Sequence, residues 1–395
     1  MHAVNTTVEL EDKCEELIAK KPAFIAVDTE FIRNNLTYYP KLSLVQISYG
    51  DKSFIVDALA TDINLSPIEK ILLNQEITKM FHSCRQDMES LLTVFKDIPS
   101  PIFDTQIAAM FCNYYHDFIG YSKLVEQYTG VVLDKVKAKK SDWLKRPLSQ
   151  EQLDYAINDV TYLYDLYQVL QDELERNNRT DWFKEEICAI CDINKYTHNP
   201  KNAWKRIKFS YEINPQLILI VKAVSEWQET LAQRYNLNRN KVVNNAIINY
   251  LIEQNLERID EVLDVLKQKA KNVTEEDLLE FMDIFNNTQD DAEQNGNALQ
   301  NNYDKHIFDM LSIILDSKCK ENNISRKLVA SKDDLAKSIS GQTNDLFKGW
   351  RYNFFGRSIE AFINNKLRFE ILTVKSKHNI TVIKSREKEI DNLSP

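Results

Sequence analysis

The sequence predicts an α/β domain over residues 1–178, followed by an all-α remainder built as two helical modules. Three observations carry this reading. Short apolar runs with β-branched members alternate with helical patterns up to about residue 175. The strand signal disappears from about residue 180 onward. An Asn- and Gln-rich stretch at 286–303, NNTQDDAEQNGNALQNNY, then divides the helical part, and its lack of periodicity marks a solvated linker.

Each element has its own signal. Phe24-Ile25-Ala26-Val27, bounded by Lys-Pro and an acid, reads as a buried strand. Leu42 to Ser48 alternates with period two, and Ser53 to Asp57 follows after a Gly50-Asp51 turn, so an antiparallel meander is expected. Ser66-Pro67 opens a helix with Ile68, Ile71 and Leu72 at helical spacing. Met80-Phe81-His82 is a short strand leading into a helix from about Asp87 to Phe95, and Ile102 to Thr105 starts another unit. The last helix of the domain is expected from Gln150 to about Glu175. A connecting helix and linker cover 179–210. The first helical module spans 211–288, with Leu217, Ile220, Val221, Val224, Trp227 and Leu231 on one face. A linker at 289–303, a second module at 304–375 and a polar, frayed tail at 376–395 complete the chain. The modules echo each other weakly, each placing a basic pair in a polar stretch (Asn238-Arg239-Asn240-Lys241; Ser325-Arg326-Lys327) after an apolar helix.

Composition narrows the function. Lys+Arg 50 against Asp+Glu 59 gives a net charge of −9, which argues weakly against bulk coating of nucleic acid but leaves local patches open. Seven widely scattered glycines exclude a phosphate-cradling P-loop and a Rossmann dinucleotide site, so no nucleotide cofactor is expected. The polar start of the chain and its short apolar runs predict a cytoplasmic protein with no membrane partner. Six scattered cysteines read as reduced thiols. Cys188 and Cys191 form one Cys-x-x-Cys without a second pair, read as structural rather than zinc-binding. Nothing demands more than a monomer.

The chemistry is carried by acids. Asp28 and Glu30, at i and i+2 of the first strand, project from one face. Two acids so placed repel each other unless a cation neutralises them, although Val-Asp-Thr-Glu could also simply end a strand in solvent. Asp87 sits where a strand passes into a helix, as a metal-directed acid or an ordinary first-turn one. Tyr155 and Asp159, at i and i+4, stack on one helix face. Together these residues supply what a two-metal phosphodiesterase needs.

The segments DTEF at 28–31, HSCRQDME at 82–89 and SDWLKRPLSQEQLDYAINDVTYLYDLY at 141–167 resemble the three exonuclease motifs of the ribonuclease D family, in the tyrosine-bearing branch of the DEDD exonucleases. The region from Asn214 to Leu251 resembles an HRDC module, and DLFKGWRYNFFGRSIEAFI resembles the end of a second one. The resemblance implies a ribonuclease H-like fold with a mixed sheet. It implies 3′–5′ exonucleolytic trimming of tRNA precursors, with two Mg²⁺ or Mn²⁺ ions and release of nucleoside 5′-monophosphates. It makes Asp28, Glu30 and Asp159 inner metal ligands, Asp87 the outer acid and Tyr155 the group that orients the attacking water. The same acids would also serve a DNA exonuclease, and a non-catalytic RNA-binding platform is a third reading. Phe31, Gln46 and His82 are candidates for contact with the terminal nucleotide, with a core or strand-end role as the alternative for each. Lys139 and Lys140, within a basic stretch that runs from Lys135 to Arg146, are candidates for phosphate contact.

Overall fold

The computed structural model describes residues 2–112, 118–133, 141–207, 214–295, 304–364, 367–373 and 381–387. Its first domain is built on a five-stranded sheet in the order β3-β2-β1-β4-β5. These strands are β1 (Phe24–Ile32), β2 (Lys41–Tyr49), β3 (Lys52–Asp57), β4 (Thr78–Phe81) and β5 (Ile102–Asp104). The expected meander forms, with β1, β2 and β3 antiparallel, while β4 and β5 join parallel to β1. The sheet is therefore mixed. The first strand runs five residues beyond the apolar run, so Asp28 to Ile32 lie inside it rather than at its end.

Helices cover both faces. Before and between the strands come α1 (Thr7–Ala19), α2 (Ser66–Leu72) and α3 (Arg85–Phe95); after them come α4 (Thr105–Phe111), α5 (Tyr121–Thr129), α6 (Gln150–Thr161), α7 (Leu163–Arg176) and α8 (Thr180–Ile190). Leu44 and Ile55 pack with Trp143, Leu153 and Ala156, which puts α6 over one face of the sheet. Leu44 stands opposite Glu30, and Gln46 opposite both Asp28 and Ile55. Directly opposed residues share a face, so Asp28, Glu30 and Gln46 lie under α6. The tyrosines of α7 pack on the sheet: Tyr164 and Tyr167 sit 4.5 and 4.4 Å from the Phe24 ring.

The single helix expected from Gln150 to about Glu175 is two helices broken at Tyr162. No Gly or Pro stands there. The Tyr121 hydroxyl donates to the Asn158 carbonyl at 2.8 Å and accepts from the Tyr162 amide. It thus takes the place of the i→i−4 bond between those two residues, a recognised cause of a helix kink.

The helical remainder also departs from expectation in places. The first module comprises α9 (Pro215–Arg234), α10 (Arg239–Val242), α11 (Asn245–Glu253), α12 (Ile259–Lys269) and α13 (Glu275–Asn295), so helix continues into the stretch expected to be linker. Acids open α13 in its first turn, where they favour the helix dipole. The second comprises α14 (Lys305–Glu321), α15 (Arg326–Val329), α16 (Lys332–Ile339), α17 (Gly349–Arg351) and α18 (Arg357–Ile363). Where only helix and a frayed tail were expected, β6 (Leu367–Thr373) and β7 (Thr381–Glu387) pair antiparallel. The echo between modules is visible: both basic pairs lie in four-residue helices, α10 and α15, that follow a long helix.

The modules attach differently. Buried residues of the second module, including Leu311, Leu315, Trp350 and Phe355, belong to the same continuous core as the α/β domain. Trp350 stacks on Trp182 of α8 with centroids 5.2 Å apart and meets Phe111 edge-on at 5.1 Å. Glu186 pairs with Arg351 and accepts the Trp350 indole N–H at 2.7 Å. The first module keeps a core of its own around Trp227, Ile220 and Phe281. It meets the α/β domain through a polar node. Glu229, 1% exposed, pairs with Arg206 and Arg239 and accepts from Tyr38 of the loop after β1. Burial alone would raise the Glu229 carboxyl, but bonds from Arg239, Tyr38 and Arg206 hold it at about 2.

Trp350→Ala should therefore cost roughly 3–5 kcal/mol and loosen the α/β domain with the second module. Hydrogen exchange would show residues 105–111 losing protection together with 305–321. Trp227→Ala should leave residues 105–111 protected. Loosening of α4 by Trp227→Ala, or none by Trp350→Ala, would sink the shared-core assignment.

Candidate active site

Three carboxylates converge where β1 passes under α6. Asp28, Glu30 and Asp159 each offer an oxygen such that all lie within 4.8 Å of one another, close enough to hold a metal ion together. Among the described residues this is the one such group of three or more acidic, His or Cys side chains.

The lead-in to α6 is fastened at several points. Between Glu30 and Phe31 the β1–β2 register slips, leaving Ser43 of β2 as the extra residue of a bulge. The Ser43 hydroxyl donates to the Trp143 carbonyl at 2.6 Å and accepts from Arg146 at 3.1 Å. Arg146 grips Asp57 of β3 with two bonds of 2.5 and 2.6 Å. A capping box between Ser149 and Gln152 starts the helix. One turn and two turns on, Tyr155 and Asp159 face the sheet acids, and their side chains are hydrogen-bonded to each other.

Asp87 reaches the site from the opposite layer and stands outside the close trio. It is buried in the first turn of α3 and accepts from the Thr29 hydroxyl at 2.5 Å. Thr29 points to the far face of β1, so this bond links the two layers around the acids.

The charges are crowded. Burial first, then Asp87, Asp159 and Glu30, push the Asp28 carboxyl well above the usual range. Burial pushes Asp87 up to about 7 against the opposing bond from Thr29. Burial and then the charges of Asp159 and Glu30 push the Tyr155 phenol upward, so it stays protonated at neutral pH.

Other candidates divide. Phe31 is half-buried beside the trio, with the Arg33 guanidinium 5.8 Å from its ring centre. Gln46 is fully buried under α6, out of direct reach of a substrate, and neither end of its amide has a protein partner. His82 is spent inside the fold: Nε2 donates to the Ile119 carbonyl at 3.1 Å and Nδ1 pairs with the Thr105 hydroxyl at 3.0 Å. Of the two roles open to it, contact with the terminal nucleotide or a place in the core, these bonds favour the second. Lys139 and Lys140 lie outside the described residues. Arg146, at the end of the same basic stretch, is committed to Asp57. Cys188 is exposed on α8, and Cys191 caps that helix.

Sequence reasoning missed Tyr121. Its hydroxyl joins α5 to the α6–α7 break beside Asp159, and burial with the charges of Asp159 and Asp28 raises its phenol. A tyrosine one residue after Gly120, at the start of a nine-residue helix, carries no local signal for that position.

Among the described residues no helix is long and apolar enough to cross a membrane. Residues 1–175 match the family model described as 3′-5′ exonuclease. The ribonuclease D of Bartonella henselae is 31% identical over 93% of this chain and 91% of its own length. That of Acidiphilium cryptum is 34% identical over 89% and 90% respectively. Among solved structures, Escherichia coli RNase D, an exoribonuclease involved in structured RNA processing, superposes with a TM-score of 0.74 at 26% identity, over 92% of this chain and 99% of that one. With such relatives matched along most of its length, the chain belongs to the ribonuclease D family of 3′–5′ exonucleases.

Proposed function

We propose that this chain hydrolyses the 3′-terminal phosphodiester of RNA one nucleotide at a time, trimming the extra 3′ residues of tRNA precursors with the help of two divalent cations. The observation that carries the reading is the trio Asp28, Glu30 and Asp159 with Tyr155 bonded beside it.

The residues fit hard cations. Oxygen ligands alone suit Mg²⁺ or Mn²⁺, and the repulsion that lifts Asp28 is what a bound cation would relieve. The orphaned amide of Gln46, opposite Asp28 on the same face, is a polar group still in want of a partner such as a metal-bound water. Asp28, Glu30 and Asp159 would hold the first cation, and Asp28 with Asp87 the second. When bound, such ions lower the pKa of a coordinated water and offset charge on the phosphate and the leaving 3′-oxygen.

The protein's own groups do the rest. Tyr155, kept protonated, orients a water by hydrogen bonding rather than removing its proton. Tyr121 fixes the end of α6 and with it Asp159. Thr29 sets the carboxylate of Asp87. None of these acids is replaced, which weighs against a non-catalytic platform. They do not distinguish RNA from DNA, since that depends on contacts to the 2′-hydroxyl. The ribonuclease D relatives along the whole chain favour RNA over the DNA reading. We read 211–288 and 304–375 as HRDC-like modules that add RNA contacts to a monomeric enzyme.

A time course on 3′-labelled tRNA bearing a short 3′ extension, beside matched DNA, with Mg²⁺, Mn²⁺ or chelator, tests this. We expect metal-dependent release of 5′-mononucleotides from the RNA, stopping near the mature end, and none from Asp28→Ala. Degradation of DNA alone would overturn the substrate, and normal turnover by Asp28→Ala the site.

The crowding gives a second test in the absence of substrate. A carboxyl raised in the fold favours the protonated folded form, so the metal-free protein loses stability as pH rises from about 4 through the raised value. Asp28→Asn should therefore melt higher than the unaltered protein at pH 7 without metal, by roughly 2–4 °C for each kcal/mol relieved, and gain less from Mn²⁺. A lower melting point with an undiminished metal response would contradict this.

Tyr121→Phe should let the α6–α7 helix close its bond and displace Asp159. We expect kcat to fall roughly 10–100-fold with KM little changed. Unchanged kcat would remove Tyr121 from the positioning of the site.

A further inference from the structure

A cavity of about 850 Å³ opens between the loop after β1, the C-terminal end of α3 and the first helical module. It does not include the acid trio. It begins at Arg33, three residues past Glu30, so its near end lies roughly 10 Å from the site along β1.

Its chemistry differs from that of the chain as a whole. The protein carries a net −9, yet the lining brings together Arg33, Lys41, Lys96 and Arg239 against a single carboxylate, Glu89. Arg33 is paired with Glu89 and Arg239 with Glu229, whereas Lys41 and Lys96 are exposed, Lys96 donating to the Thr93 carbonyl at 2.8 Å. Tyr39 is 40% exposed on the same wall and packs edge-on against Tyr38 at 4.8 Å. The loop that presents it is held firmly. Asn34 accepts from the amides of Leu36 and Thr37, and Asn236 of the first module accepts from those of Tyr38 and Tyr39. A fixed aromatic face beside exposed lysines, near the acid trio, fits a single strand, with bases stacking on the ring and phosphates meeting the ammonium groups.

We propose that this cleft holds the single-stranded RNA upstream of the scissile bond, with phosphates on Lys41 and Lys96 and a base on Tyr39. The proposal rests on the exonuclease reading above and adds where the body of the substrate lies. A dinucleotide is too short to occupy the cleft, so the cleft should make turnover depend on substrate length.

The test compares the full-length protein with Lys41→Glu/Lys96→Glu and with Tyr39→Ala, each checked for an unchanged melting temperature. Hydrolysis of a 12-nucleotide RNA and of a dinucleotide is measured, and binding of the labelled 12-mer is followed by anisotropy in chelator across a salt series. We expect the 12-mer to dinucleotide ratio of kcat/KM to fall at least tenfold in both variants. The double variant should bind more weakly, with its salt slope reduced by about 1.4, since each single-strand phosphate contact contributes about 0.7. A ratio within twofold of the unaltered protein, or unaltered binding and slope, overturns the cleft. If the unaltered protein hydrolyses neither RNA, the exonuclease reading fails, while the anisotropy still decides whether the cleft binds a strand.

Discussion

Repulsion among half-buried carboxylates is the constraint around which this molecule is organised. Asp28, Glu30 and Asp159 come within 4.8 Å of one another where burial already disfavours charge. Left to themselves, a strand and a helix carrying these acids would part. The fold opposes that with bonds remote from the charges: the Ser43 bulge to Trp143, Arg146 to Asp57, and the capping box at Ser149. Apolar contact of Leu44 and Ile55 with Leu153 and Ala156 presses the same helix onto the sheet. These contacts hold the crowded acids together, where a cation of matching charge can offset their repulsion.

The same frame explains the division of labour among the polar side chains around the acids. Thr29 and Tyr121 each act on an acid through geometry, one by bonding Asp87 across the layers, the other by interrupting the helix beside Asp159. His82, although it stands at the end of a strand near the site, spends both ring nitrogens on Thr105 and Ile119. Its burial lowers its basicity, which suits a neutral ring bonded within the fold.

The two helical modules repeat a pattern but solve different problems. In the second, Trp350 and its neighbours extend the core of the α/β domain, so the two share one apolar interior. In the first, the equivalent contact is ionic, and the basic residue of the short helix shows the difference. Arg239 reaches Glu229 and lies over the Tyr38 ring, whereas Arg326 turns back to Asp316 and Ser312 of its own module. A polar junction leaves room for a cleft, and a fused core does not.

How much of this was legible depended on whether the cause was local. The meander, the strand-to-helix passage at Asp87 and the i,i+4 pair Tyr155–Asp159 follow from periodicity and turn chemistry within a few residues. The motifs pointed to Asp28, Glu30 and Asp159, which the fold brings together, because metal chemistry restricts residue type and spacing. The break at Tyr162 was hidden, since its cause is a hydroxyl 41 positions earlier in the chain. The two strands at 367–373 and 381–387 were missed because they continue a region that otherwise reads as helix. The sequence by itself thus singled out the acids that converge in the fold and the faces that are apolar, because alternation and helical spacing are properties of neighbouring residues. Only the tertiary structure decided that α6 lies over the β1 acids, that one module is fused and the other clamped, and that Gln46 is buried. Those outcomes depend on packing between elements far apart in the chain, which no local pattern records.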